Sequence, residues 1–131
     1  MNRSFYPPAR FLLAAIFVWS GYSKLVHFSA TEGFMAHVGI PAAAAALIVA
    51  IIVELGGGLL VIAGLFTRWA AGVMFLYLIP VTWYMHRHDT VQIMKNISIM
   101  GGLLLLVAGG GGACALDASR SRAKVESQTA A

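Results

Sequence analysis

Between Pro41 and Phe66 runs a stretch of apolar residues whose centre holds one carboxylate and three glycines, Glu54-Leu55-Gly56-Gly57-Gly58. Wound as an α-helix at 1.5 Å per residue it would be about 39 Å long, enough to cross the roughly 30 Å hydrocarbon core of a bilayer with some tilt. Glu54 then falls near mid-depth. A lone carboxylate there costs at least ~2.5 kcal/mol on insertion scales, so it must face protein rather than lipid and meet a partner or a proton. The remaining segments are therefore read as what surrounds Glu54.

With 131 residues there is room for one domain, and 60% hydrophobic against 11% charged residues places the chain among membrane-embedded proteins. Its formal net charge of +4 comes from Lys and Arg at segment ends and in the tail. No basic stripe with interleaved aromatics accompanies them, so nucleic acid is not an expected partner. The single cysteine, Cys114, rules out an internal disulfide or a paired-thiol redox or zinc motif within one chain. Arg3 to Arg10 followed by Phe11–Trp19 imitates a signal peptide, yet no cleavage pattern of small residues follows, and it is read as a retained first span.

Four spans are expected, at about residues 9–26, 41–66, 69–85 and 92–113. Pro7 and Pro8 precede the first, where the first helical amides lack partners anyway. Along that span Arg10, Leu13, Phe17, Ser20 and Lys24 recur at three- and four-residue steps and share one inward stripe. In the connector, Ser29-Ala-Thr-Glu32 has the form of a capping box and Gly39 with Pro41 marks a stop, so a short helix at about 30–38 is expected on the membrane surface. Ala43, Ala50, Gly57 and Gly64, seven apart, form a ridge for close helix packing. Pro80 is expected to kink or shorten the third span, and Trp69, Trp83 and Tyr84 suit interfacial belts. Asp89 with Gln92 reads as a cap for the fourth helix, which Gly109–Gly112 ends. The polar tail, 117–131, is expected to stay unstructured.

An even number of spans puts both termini on one side. That side holds Arg3, Arg10, Arg68, Arg120, Arg122 and Lys124, against Lys24, Arg87 and Lys95 opposite, so both termini are expected in the cytoplasm. Helical side chains lean toward their own N-terminus, so Lys24 on the outgoing first span and Glu54 on the returning second span lean toward each other. Six residues of depth, about 9 Å, separate them, a gap that two long side chains largely close. Lys95 and Asn96 enter from the same mouth. The expected site is Glu54, Lys24, Lys95 and Asn96 as the reacting groups, with Ser20, Tyr22, Lys24 and Asn96 available to hold a bound molecule. Lys24, Lys95 and Asn96 would donate to its carbonyl oxygens and Glu54 would relay protons. The same residues also read as an interhelical lock, at ~0.6 kcal/mol per polar contact and up to ~1.7.

His27, His37, His86 and His88 all fall in the two outer connectors, and His86-x-His88 is a common spacing that no acid or thiol completes, so no metal is expected. The spans contain no histidine to ligate haem. Arg10, Arg68 and Asp117 are expected near the inner surface, as interfacial anchors or as an ion-paired clamp between the first and last helices.

The order and spacing of Arg10…Gly21-Tyr-Ser-Lys24-Leu25, Glu54-Leu-Gly-Gly-Gly-Leu-Leu…Gly64-Leu-Phe-Thr-Arg68, Lys95-Asn96…Gly101-Gly102 and the Gly-rich turn ending in Leu116-Asp117 resemble the DoxX family of small four-helix membrane proteins over nearly the whole chain. The resemblance implies an all-α integral membrane protein of the bacterial inner membrane. Its fold would be an antiparallel four-helix bundle with a short interfacial helix in the first outer loop. It also implies association with oxidoreductases, some relatives being membrane subunits of thiosulfate:quinone oxidoreductase. The expected function is a membrane component of a quinone-linked system, with electrons from a soluble or membrane redox partner, because the chain carries no flavin, haem or dinucleotide motif. The alternatives are a non-catalytic scaffold and a small-molecule permease, the latter requiring a homo-oligomer at this size.

Overall fold

A computed structural model describes residues 3–112 and 114–130. The chain is all-α, with no strand among the described residues. A 3-10 turn, Arg3–Phe5, leads into α1 (Tyr6–Val26), whose first turn carries the two prolines. There follow α2 (Phe28–His37), α3 (Ala43–Ala63), α4 (Thr67–His86), α5 (Thr90–Gly109) and α6 (Leu116–Thr129). Three of them, α1, α3 and α5, are long and apolar enough to cross a membrane.

Buried residues of α1 (Ala14, Phe17), α3 (Val61), α4 (Ala70, Ala71, Met74, Leu78) and α5 (Leu103, Leu106) form a single core. The links between α3 and α4 and between α4 and α5 are three residues each, 64–66 and 87–89, which makes successive helices antiparallel neighbours. Outside this core the surface is apolar: Leu12, Leu105 and Trp69 are 73%, 75% and 80% exposed. Such a surface suits lipid rather than water. On α4 the exposed apolar residues Trp69, Val73, Leu76, Ile79 and Trp83 follow one another at three- and four-residue steps from end to end.

Several boundaries differ from expectation for local reasons. The second segment is shorter than 41–66 because two left-handed residues bracket it, Ala42 (φ 49°) and Gly64 (φ 73°). Gly64 has no alternative: a Cβ there would lie 1.9 Å from Arg10 Nη1. Helix α4 continues through Pro80 to His86. The expected capping box in the connector does not form, since α2 begins at Phe28, before Ser29, and has no side-chain cap. The cap on α5 does form, Asp89 Oδ1 accepting from the Gln92 amide at 3.1 Å. Helix α5 stops at Gly109, and Ala113, the expected end of the fourth span, lies outside the described residues, as does Ala131. The tail, expected to be unstructured, is drawn as α6, none of whose residues is buried. Residues 116–129 contain no Gly or Pro, so nothing in the segment breaks a helix.

Candidate functional site

Helix α3 is not regular at its centre. Residues Ile52–Gly56 form a π turn with Glu54 in its middle. Such turns are rare, arise as single-turn bulges within α-helices, and are frequent at functional sites. Helix α1 approaches this turn closely because residue 21 is glycine: a Cβ there would lie 2.8 Å from Leu55 Cγ and 3.0 Å from Glu54 Cβ. One turn further on, Lys24 then reaches over the carboxylate.

Lys24 Nζ donates to Glu54 Oε1 at 3.0 Å, to Glu54 Oε2 at 2.9 Å and to Ser20 Oγ at 2.6 Å. All three ammonium protons are thereby engaged. Tyr77 of α4 donates its hydroxyl to Glu54 Oε1 at 2.7 Å. Glu54 is 4% exposed. Three donors and one full counter-charge meet it, which is what a carboxylate removed from water requires. The pairing of Lys24 with Glu54, and the support of Ser20, follow the leaning directions expected from antiparallel spans.

A cavity of about 250 Å³ opens beside this cluster, and Ser20, Lys24, Glu54, His86, Lys95 and Asn96 are among its walls. Asn96 is buried and donates to Thr82 Oγ1 at 2.8 Å. Thr82 in turn donates to the Leu78 carbonyl. Lys95 stands at the mouth, exposed, and pairs with Gln92 instead of Glu54. Neighbouring residues on a helix point about 100° apart, and here Asn96 turns to Thr82 inside while Lys95 stays at the rim. The same rule removes Tyr22: with Ser20 turned in, Tyr22 points outward, 55% exposed, its ring 6.4 Å from that of Trp19. His86 lies just beyond the apolar run of α4.

Tyr77 is the member that the sequence reading missed. Its signal was position: a tyrosine eight residues from Trp69 and six from Trp83 is far from either end of α4, whereas belts place tyrosine at the ends. Thr82 carried no comparable mark.

At the opposite end of the helices Arg10 is 3% exposed. Its Nη2 lies 3.5 Å from the Cys114 carbonyl, while Nε and Nη1 have no partner among the described residues. Asp117 does not pair with it. The Asp117 carboxylate accepts from the amides of Phe66 (3.0 Å) and Thr67 (3.2 Å), and its own amide donates to the Gly64 carbonyl at 3.0 Å. It thus caps α4 from a distant part of the chain. The expected ion-paired clamp between the first and last helices does not form; Asp117 ties the last helix to the link between α3 and α4 instead. The histidines do not converge: among the described residues no three His, Cys, Asp or Glu side chains gather as a metal site would need.

The DoxX family model matches residues 7–87. Among curated proteins, inner membrane protein YphA of Escherichia coli K12 is 31% identical over 119 residues, covering 83% of this chain and 85% of its own length. Inner membrane protein YqjF of the same organism is 31% identical over 114 residues, covering 83% and 86%. No solved structure matches the chain significantly.

Proposed function

We propose, for a chain that belongs to the DoxX family, that it is a four-span protein of the bacterial inner membrane and the membrane component of a quinone-linked oxidoreductase system. The fourth span is α4: it has 20 residues, like α5, and its apolar exposed stripe runs its full length. Both relatives are named as inner membrane proteins. The distribution of Lys and Arg puts both termini in the cytoplasm and the α2 end outside.

One observation carries the chemical reading. An ammonium and a phenol both donate to one carboxylate at a π turn inside an apolar protein, beside a cavity. Ionisable residues at membrane depth are functional by default. Reduction of a quinone consumes two electrons and two protons, turning both carbonyls into hydroxyls. The electrons come from a reduced flavin or thiol of a partner protein. This chain supplies the donors, Lys24 and Tyr77, and Glu54 passes protons between them and the polar cavity.

In host membrane vesicles, quinone-linked turnover, followed as loss of the quinone's ultraviolet absorbance, should fall at least tenfold in Glu54→Gln while the protein accumulates at the native level. Unchanged turnover would overturn the reading. The completeness of the hydrogen bonding favours a second reading, a scaffold in which the cluster only locks helices together. That reading gains if Glu54→Gln vanishes from the membrane in parallel with its activity.

A further inference from the structure

Lys24 faces two cavities, not one. The second, about 280 Å³, lies on the other side of the ion pair, between the α2-end halves of α3 and α4. Met35 of α2 and Ile40 roof it, and Ala46, Ala50 and Val81 line its sides. Its charged and hydroxyl-bearing walls are few: Lys24 and Tyr77 at the deep end, and Tyr84 near the opening. The first cavity shares Lys24, Val81 and Met85 with it but adds polar walls, among them Ser20, Glu54, His86, Lys95 and Asn96.

The chamber opens sideways. Its wall residues Val49 and Tyr84 are 56% and 42% exposed on the outer surface, where acyl chains would lie. Helices α3 and α4 meet chiefly below it, through the π turn and the segment that follows. A ligand suited to such a space is flat, apolar and lipid-soluble, with a hydrogen-bond-accepting oxygen at the edge that meets the ammonium and the phenol. Water-soluble substrates would instead favour the polar cavity.

We propose that this chamber is the docking site of the quinone ring, reached laterally from the bilayer, with one carbonyl directed at Lys24 Nζ and the Tyr77 hydroxyl, each of which exchanges a bond to Glu54 for one to the carbonyl. The inference rests on the quinone reading above and adds the place, the route and the role of Tyr77. The ion pair then stands as a partition: protons arrive from the polar cavity on one side and the ring sits on the other. The chamber is small for a ligand pocket, whose usual range begins at about 300 Å³, so it holds a single ring and leaves any long tail in lipid.

The test is photolabelling of the full chain in nanodiscs with an azido-substituted short-chain ubiquinone, followed by peptide mapping. Label is expected on Met35 or Tyr84, removed by excess unlabelled quinone, and reduced at least tenfold in Ala46→Phe, which fills the chamber. Tyr77→Phe, which keeps the ring and deletes the hydroxyl, should weaken competition by unlabelled quinone three- to tenfold. Label on Gln92 or His86, label only on lipid-facing positions such as Ile97, or full labelling of Ala46→Phe would each overturn the chamber. The map of the native chain decides even if a variant fails to fold. If vesicles show quinone turnover but the chamber is not labelled, only this inference falls. If turnover and labelling are both absent, the quinone reading falls with it.

Discussion

Two cations on one stripe of α1, Arg10 buried and Lys24 half-buried, lie at opposite ends of the molecule, and the chain treats them differently. Lys24 has a counterion, a hydroxyl acceptor and empty space on both sides. Arg10 has one long bond to a carbonyl, two unpartnered N–H groups and no space: residues 64 and 111 are glycines where any Cβ would lie within 3.1 Å of its guanidinium. Around Lys24, polar groups are satisfied and volume is left open. Around Arg10, volume is filled first and polar groups take what remains. Burial of charge alone therefore does not mark a site in this protein. Burial beside a cavity, with every hydrogen bond placed, does.

The sharpest way to break this comparison is to strand one charge at the Lys24 end. Lys24→Met leaves the Glu54 carboxylate without its counterion, and such a deletion should cost about 3–5 kcal/mol. Thermal unfolding in detergent would read it. The double variant Lys24→Met/Glu54→Gln removes both charges and should recover most of that loss. If single and double variants are equally mild, the pair is not a desolvated one. At the other end, filling space should hurt more than removing charge. Gly64→Ala should cost about 1–2 kcal/mol from the left-handed backbone and about 1 kcal/mol or more from overpacking against Arg10. Quinone-linked turnover per folded molecule should stay at the native level. The smallest effect concerns the remote cap: Asp117→Ala should cost about 0.5–2 kcal/mol, as helix-cap deletions do. Hydrogen exchange should localise the loss to the amides of Phe66 and Thr67.

Much of this was legible in the sequence because lipid imposes simple rules. Apolar runs located the long helices, and the stripe of Arg10, Phe17, Ser20 and Lys24 turned inward as its spacing required. Lys24 and Glu54 were matched by the lean of side chains on antiparallel helices. Two expected members stand apart from the carboxylate: Tyr22 lies on the face of α1 opposite Ser20, and Lys95 lines the cavity but bonds Gln92 rather than Glu54. Tyr77 was hidden because an aromatic in an apolar run looks like packing. The π turn was hidden because residues such as Ile52, Val53 and Leu55 are equally at home in a regular helix. The cap supplied by Asp117 spans 50 residues of chain, beyond what local pattern reveals.

One residue too many in a single turn divides α3 into two regular segments joined by a wider turn of backbone. Above the bulge Leu47 and Ala50 are buried beside α2 and α1; below it Gly58 is buried against Val18 of α1 and Val61 within the core. The acid sits at the seam. Any rotation of one half against the other would therefore swing its carboxylate relative to Lys24 and Tyr77 at once, coupling how the helix is wound to which of its neighbours holds a proton.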